Sequence, residues 1–367
     1  MIDVLLLWRT RRFLTRLLFS ILLLAGCALS SSGGVAGGVE TPESQVITPV
    51  ILSIRNAPVP FTGSDSRTHL VYELWMLNFS SHDATVERVE MVADGNVLET
   101  LDANDVAGRL QPAGRRQPTG VIAAGSQSLL FVHVILANGA TPPKNLSHQV
   151  VVNARGREFS ETGGATTVNT RPVAVIGPPL RGGNYVSADS CCDATRHTRA
   201  ALPVNGRVWL AQRYAVDWEQ LDATNRIYVG PRDDVSSYKI YGAPVLAVAN
   251  GTVVTATDGL PDQTPGKFPE NLPIEQADGN AVIEDLGGGN YALYAHMKPD
   301  SVAVHEGQTV TRGQVIGLVG NSGNTIAPHL HFQLMNGPLS LASNGLPYET
   351  DAYGSAHHFI FPVAVRA

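Results

Sequence analysis

Short apolar and β-branched runs, divided by turn residues, recur along the chain from about residue 45 and constrain its fold more than any other feature. Residues 70–77 have the composition of a buried strand, and residues 85–92 alternate polar and apolar side chains before a turn at 94–96. No helical periodicity runs long enough to compete with this pattern. Because 36 Gly and 23 Pro accompany only 16% charged residues, the composition is also rich in turns. The sequence therefore predicts an all-β protein.

The length of 367 residues predicts two domains and a short processed segment. Residues 45–175 contain short strands at the spacing typical of an immunoglobulin-like β-sandwich. This segment carries no cluster of catalytic residue types, so we interpret it as a spacer or docking module. The segments 177–179 (Gly-Pro-Pro) and 182–183 (Gly-Gly) mark a domain boundary. Residues 176–367 again combine strands with glycine turns, which predicts a second β domain.

The first 26 residues predict a lipoprotein signal peptide. A positive segment with four arginines precedes the apolar run 17–24, and the string Leu-Ala-Gly-Cys ending at Cys27 resembles the lipobox of bacterial lipoproteins. A plain signal peptide or a membrane anchor is the alternative, although the apolar run is short for a spanning helix. We therefore expect a lipid on Cys27 and a flexible tether over residues 27–44. Such a protein is exported to the periplasmic face of the outer membrane in a Gram-negative cell, or to the cell surface.

The net charge excludes one class of function. The chain has 26 basic and 32 acidic residues, and removal of residues 1–26 takes away four arginines and Asp3. The remaining 22 basic and 31 acidic residues give a formal charge of −9. A nucleic-acid binder needs a basic face, so we expect no nucleic-acid partner.

Cys191 and Cys192 are the only cysteines that remain once Cys27 is lipidated. Outside the cytoplasm, two adjacent cysteines can form a vicinal disulfide or stay reduced. A soft metal site is a further alternative, but we favour a local structural element beside the active domain.

The string Pro328-His329-Leu330-His331-Phe332 carries the strongest chemical signal. Successive side chains of an extended segment alternate between faces, so both histidines point the same way. Two neighbouring imidazoles over an apolar backing can serve as a metal ligand and as an acid, base or oxyanion donor. Because ordinary strands also carry such pairs, the neighbouring motifs decide the interpretation.

Three further strings accompany the histidine pair, namely 242–254, Tyr294-Ala295-His296 and 307–320. Together these strings resemble the lysostaphin-type zinc endopeptidases, also called LytM domains, which cut peptide bonds in bacterial peptidoglycan. The resemblance covers roughly a quarter of the chain, from about residue 240 to 335, with a weaker match upstream around Asp217. It implies a LytM-like antiparallel β domain over residues 176–367 and a zinc-dependent metalloendopeptidase that acts on peptidoglycan in the cell envelope.

The resemblance also implies the roles of four residues. Asp217 and His331 match zinc ligands, whereas His296 matches the general base and His329 the group that stabilises the transition state. One zinc ion held by three protein ligands keeps a position for water and lowers the pKa of that water. A nearby histidine can then move a proton, and a second histidine can stabilise an oxyanion.

One position departs from the family pattern. Arg213 stands where the family has its first histidine ligand, and Ala215 replaces a glycine. A guanidinium has no lone pair to offer zinc, so another side chain must supply the third ligand if zinc is bound. The choices are, in order of preference, His197 and then Cys191, Cys192 and Gln212.

A catalytically inactive domain is the alternative interpretation. Such a LytM-type module binds peptidoglycan or activates a cell-wall amidase, and Arg213 then pairs with Asp217 or with a carboxylate of a partner. A peptidase of envelope proteins is a third and weaker interpretation. His305, His357 and His358 match no family position, so we interpret them as surface or tail residues.

Overall fold

The computed structural model describes residues 46–193 and 195–351. The elements given below belong to one compact unit, Ile47–Ala367. Within the described residues, no helix is both long and apolar enough to span a membrane. The predicted signal peptide, the tether, the lipidation site Cys27 and the tail residues His357 and His358 lie outside the described residues, so they remain predictions.

The described chain is nearly all β, which confirms the fold class predicted from the sequence. The strands of the N-terminal half are β1 (Val50–Ile54), β2 (Phe61–Thr62), β3 (Thr68–Asn78), β4 (Ala84–Ala93), β5 (Asn96–Leu101), β6 (Leu110–Pro112), β7 (Val121–Ile122), β8 (Gln127–Ile135), β9 (Asn145–Ala154) and β10 (Arg157–Thr167). The strands of the C-terminal half are β11 (Ala174–Ile176), β12 (Tyr185–Ala188), β13 (Leu202–Val204), β14 (Arg207–Trp209), β15 (Val216–Gln220), β16 (Pro244–Leu246), β17 (Gly251–Thr257), β18 (Asn280–Gly287), β19 (Asn290–Met297), β20 (Thr309–Val310), β21 (Val315–Leu318), β22 (Leu330–Met335) and β23 (Tyr348–Thr350). Two 3-10 turns, Val235–Ser237 and Ile274–Gln276, lie between these strands.

A single short α-helix, α1 (Ala103–Arg109), interrupts the strands of the described part of the chain. Asp102 caps its first turn, because the carboxylate accepts hydrogen bonds from the backbone N–H groups of Asn104 and Asp105. The Asp105 carboxylate accepts the N–H of Asp102 in return, which completes a capping box. The capping box fixes the start of the helix, and Arg109 is its last residue.

Two five-stranded sheets surround the core of the N-terminal half. The first has the order β1-β3-β8-β6 with β2 added to β3, and the second has the order β10-β9-β4-β5 with β7 added to β4. Buried residues of both sheets, such as Leu74, Met91 and Val150, form one hydrophobic cluster. We call residues 50–167 the sandwich, because their two sheets enclose a shared core as the sheets of a predicted β-sandwich would. Its immunoglobulin-like class and the boundary at residue 175 remain predictions.

Strand β3 is buried on both faces. Leu74 points into the sandwich core, whereas Val71 and Trp75 lie on the opposite face. That opposite face packs on the C-terminal half, where Val71 shares a cluster with Tyr214 and Trp75 shares one with Leu210. Burial on both sides explains why the strand has an unbroken apolar run.

A seven-stranded antiparallel sheet of order β12-β15-β22-β19-β18-β17-β20 forms the centre of the C-terminal half. Two further antiparallel pairs, β13–β14 and β16–β21, and one parallel pair, β11–β23, complete this half. Tyr294 and Phe332 are fully buried in its core. Because β22 lies between β15 and β19, the sheet brings residues from three separate sequence motifs side by side.

Candidate metal centre

The strand register places four of the predicted site residues together. His331 in β22 lies opposite Asp217 in β15 on one side and opposite Ala295 in β19 on the other. His296 follows Ala295 with a φ of 62°, a left-handed conformation that residues other than glycine rarely adopt. His329 comes just before β22, and its ring centroid lies 4.8 Å from that of His296. The sheet thus gathers Asp217, His296, His329 and His331.

His197 reaches the same site from the segment between β12 and β13. Its Nε2 atom lies 3.5 Å from Oδ1 of Asp217, and Nδ1 of His331 lies 2.9 Å from that same oxygen. One donor atom from each of the three residues lies within 4.8 Å of the other two, and the three residues are buried. Ligand atoms about 2.0–2.1 Å from a tetrahedral zinc ion lie about 3.3 Å apart. The side chains of His197, Asp217 and His331 therefore fit a zinc ion.

A second set of donors shares the site. Ring nitrogens of His296, His329 and His331 also lie within 4.8 Å of one another. Unlike the first set, this one lacks a carboxylate, so it offsets none of the charge of a divalent cation. If the first set holds the metal ion, His296 and His329 lie beside it and can act as an acid, a base or a hydrogen-bond donor.

Backbone carbonyl groups fix the orientation of three of the imidazoles. In each case the Nδ1 atom lies within hydrogen-bond distance of a carbonyl oxygen, so an Nδ1–H donor turns Nε2 toward the site. The three pairs are His197 with Asp189 (3.0 Å), His296 with Ser322 (2.8 Å) and His329 with Ala327 (2.7 Å). Each ring is therefore held by the main chain before any ligand binds.

His331 is held by a side chain that sequence analysis missed. Its Nε2 atom lies 3.0 Å from Oε1 of Gln333, and the Gln333 amide donates to the carbonyl of Ser340 at 3.1 Å. This contact directs Nδ1 of His331 toward Asp217. The signal was present in the sequence, because strand alternation places residue 333 on the same face as residues 329 and 331.

Burial and mutual charge set the protonation of the site. Burial alone would raise the pKa of the Asp217 carboxyl, but the charges of His329 and His197 hold it well below its ordinary value. Burial likewise opposes the charged form of His329, but the Asp217 carboxylate outweighs it and raises the pKa of His329. Burial and the charge of His329 lower the pKa of His296 well below its ordinary value. At neutral pH, Asp217 is therefore ionised and His296 is neutral.

A cleft of about 280 Å³ lies over these side chains. Its lining combines apolar residues, Phe268 and Ile274, with charged ones, Arg116 and Asp278. Burial raises the pKa of the Asp278 carboxyl, although a hydrogen bond with Ser340 opposes this effect. Arg116 belongs to the sandwich, so both halves of the chain line the cleft. Sequence analysis missed Arg116, which lies in the sandwich, and Asp278, which lies between two family motifs but in neither of them.

Arg213 faces away from the cleft. Its Nε and Nη2 atoms donate to the two carboxylate oxygens of Glu73 in β3, at 2.8 and 2.7 Å. Its Nη1 atom donates to the carbonyl of Gly345 at 3.4 Å. Arg213 is 6% exposed and Glu73 is 2% exposed, so the ion pair is buried between the sandwich and the C-terminal half. The pairing of Arg213 with Asp217, expected for an inactive domain, is therefore wrong.

The other residues considered as a third ligand differ in what they offer. Cys191 and Cys192 form a vicinal disulfide, so they present no thiolate to a metal and the soft-metal interpretation is wrong. Gln212 lines the cleft, but zinc in proteins is bound by Cys, His and Asp or Glu side chains rather than by amides. His197 is the choice whose donor atom lies beside both Asp217 and His331.

Comparison with known proteins identifies a matching family and relatives of parts of this chain. Residues 235–343 match the profile of Peptidase family M23. The peptidoglycan DD-endopeptidase ShyA of Vibrio cholerae is 27% identical over 179 residues, which are 44% of this chain and 37% of that protein. The DD-carboxypeptidase/endopeptidase Mpg of Neisseria meningitidis is 44% identical over 71 residues, 19% of this chain and 16% of that protein. The catalytic domain of lysostaphin from Staphylococcus simulans is 25% identical, covers 39% of this chain and 80% of that chain, and superposes with a TM-score of 0.23.

The fold and the site define a β protein with a candidate His/Asp metal centre. Within it, residues 235–343 form a domain of peptidase family M23, which confirms the lysostaphin-type resemblance. The matched segment contains His296, His329 and His331, whereas His197 and Asp217 lie upstream of it. The chain spans less than two fifths of the length of those two curated relatives.

Proposed function

We propose that this protein is a zinc-dependent metalloendopeptidase that hydrolyses peptide bonds of bacterial peptidoglycan. One observation carries the proposal: the donor atoms of His197, Asp217 and His331 converge although Arg213 occupies the expected ligand position. The family M23 domain supports the reaction class. Relatives named as peptidoglycan endopeptidases support the choice of substrate.

The proposed ligands of zinc are Nε2 of His197, Oδ1 of Asp217 and Nδ1 of His331. A zinc ion in this site would supply a Lewis acid and lower the pKa of a water molecule. The Asp217 carboxylate would offset part of the charge of the ion. The contact between His331 and Gln333 keeps the ligating ring in place, as outer partners of metal-bound histidines do.

The two remaining histidines divide the proton chemistry. His296 is neutral because burial lowers its pKa, so its Nε2 atom can take a proton from the attacking water and return it to the leaving amine. His329 carries the raised pKa, so its Nε2–H can donate to the negative oxygen that develops on the scissile carbonyl. The carbonyl groups of Ser322 and Ala327 hold the two rings for these roles.

For the inactive-module alternative, we expected Arg213 to pair with Asp217 or with a carboxylate of a partner. Instead, Glu73 binds that guanidinium with two hydrogen bonds. The orientation of Arg213 therefore supports the enzyme over a module that binds peptidoglycan or activates an amidase.

Metal analysis and digestion of purified peptidoglycan test the proposal on the full chain. We expect one zinc ion per chain and the release of peptide fragments, with both lost in His331→Ala. His305→Ala is the matched control, because His305 is exposed and lies outside the site, and it should keep both properties. A metal-free unaltered chain that still binds peptidoglycan would favour the inactive module.

We also propose that the protein acts in the cell envelope, anchored by a lipid on Cys27. The support is the lipobox-like string that ends at Cys27 and the proposed peptidoglycan substrate. Metabolic labelling with a radioactive fatty acid should mark the unaltered protein and leave Cys27→Ser unlabelled. Equal labelling of the two proteins would contradict the anchor.

A further inference from the structure

The residues that flank His197 form a loop that we call the ligand loop, residues 189–193 and 195–200. These described residues contribute no strand to any sheet, whereas Asp217 and His331 lie on paired strands. The sheet register that fixes two of the proposed ligands therefore does not fix the third. Something else must hold the ligand loop against the site.

Polar contacts tie the ligand loop to the sandwich on both sides of His197. Before it, the Asp193 carboxylate accepts a hydrogen bond from Arg109 at 2.5 Å and lies 3.0 Å from Nδ1 of His133. After it, Arg199 donates to the carbonyl of Gly108 at 2.6 Å. Gly108 and Arg109 are the last two residues of helix α1, and His133 lies in β8. Two elements of the sandwich therefore contact the ligand loop.

The partners of Asp193 stabilise the charged form of its carboxylate. Burial would raise the pKa of its carboxyl, but the hydrogen bond with His133 and the charges of His133 and Arg109 hold that pKa well below its ordinary value. The carboxylate is therefore ionised at neutral pH. A hydrogen bond between charged groups is stronger than one between neutral groups, so this contact is suited to anchoring.

Apolar packing adds a second anchor at the start of the ligand loop. The Cys191–Cys192 disulfide packs in one buried cluster with Phe61 and Val71 of the sandwich and with Tyr214. The disulfide is five residues before His197 in the sequence. The loop is therefore fixed at both ends of the segment that carries the proposed ligand.

From these contacts we propose that the sandwich positions the metal centre, with Arg109 and Asp193 as positioning residues that act through His197. This inference rests on the proposed role of His197 as a zinc ligand. Arg213 also connects the two halves: it stands at the family's ligand position, and its guanidinium pairs with Glu73 of the sandwich. The sandwich is then part of the zinc site and more than a spacer.

The zinc dissociation constant of the full chain tests this role. Loss of a partner that orients a metal ligand typically weakens metal affinity by about 10- to 100-fold. Because the side chains of Arg109 and Asp193 are 26% and 50% exposed, we expect the lower end, about tenfold, for Arg109→Ala. Arg109→Lys keeps the charge and should recover part of the loss. Arg115→Ala, at a neighbouring exposed arginine of the sandwich, is the matched control and should leave the affinity unchanged.

A double-mutant cycle shows whether the effect passes through His197. In a His197→Ala background, Arg109→Ala should cause no further loss of zinc affinity. Asp193→Asn should behave as Arg109→Ala does, and thermal unfolding checks that each variant is folded. Competition with a chromophoric chelator gives each constant.

Three outcomes would overturn the inference. In the first, Arg109→Ala and Asp193→Asn bind zinc as tightly as the unaltered chain. This result would exclude the positioning role but leave the proposed peptidase function intact. In the second, Arg109→Ala weakens zinc binding equally in the presence and absence of His197. This result would show that Arg109 does not act through His197. An unaltered chain that binds no zinc removes the proposed function, and the inference with it.

Discussion

Replacement of Arg213 by alanine should destabilise the protein, because its guanidinium is the buried partner of the Glu73 carboxylate. The pair is bidentate, at 2.8 and 2.7 Å, and the two residues are only 6% and 2% exposed. Removal of one member of such a pair leaves the other charge buried without compensation, which costs about 3–5 kcal/mol. We therefore expect the free energy of unfolding to fall by about this amount in Arg213→Ala.

Urea unfolding of the full chain, followed by tryptophan fluorescence and circular dichroism, measures this loss. Arg88→Ala is the matched control, because Arg88, whose side chain is 54% exposed, pairs with Glu90 at 3.3 Å, and surface ion pairs contribute less than about 1 kcal/mol. Replacement of both partners, as in Glu73→Leu with Arg213→Met, should cost far less than Arg213→Ala alone. A cost for Arg213→Ala no larger than that of Arg88→Ala would refute the reasoning.

Three further predictions concern the site and its support. An Arg213→His substitution should not restore zinc binding to His197→Ala, because position 213 faces the sandwich; restored stoichiometric zinc in metal analysis would contradict this. Gln333→Ala should weaken zinc affinity by about tenfold or more, since Gln333 holds the ring of His331, and an unchanged dissociation constant in chelator competition would exclude that role. Burial raises the pKa of Glu284 from 4.5 to about 7, so the stability linked to its bound proton is present below pH of about 4.5 and is lost as the pH rises to about 7. Glu284→Gln should flatten this fall of up to about 3 kcal/mol between about pH 5 and pH 8; parallel urea-unfolding profiles for the two proteins would contradict it.

Local pattern predicted most of the fold. The alternation of residues 85–92 and the apolar run 70–77 both correspond to strands, within β4 and β3. The pattern could not show that β3 is buried on both faces, because its second face contacts residues far along the chain, such as Tyr214. Helix α1 was missed because its seven residues are too few for a helical periodicity to stand out.

The sequence predicted some residues of the candidate site directly and others only by elimination or not at all. The family motifs identified His296, His329 and His331, and the loss of a histidine at position 213 directed attention to His197. Glu73, by contrast, is 140 residues from Arg213 in the sequence, and no local pattern links two residues across that distance. The orientation of each imidazole depends on backbone carbonyls that only the folded chain places.

We propose that His197 supplies the zinc ligand that Arg213, at the family's ligand position, cannot supply. Zinc titration of the purified full chain and of His197→Ala, under the same chelator competition, tests this claim most directly. We predict one tightly bound zinc ion in the unaltered chain and a loss of affinity of at least about 100-fold in His197→Ala, because removal of a ligand should cost at least as much as the loss of about 10- to 100-fold that follows removal of a ligand's outer partner. Equal zinc affinity and stoichiometry in the two proteins would contradict the account.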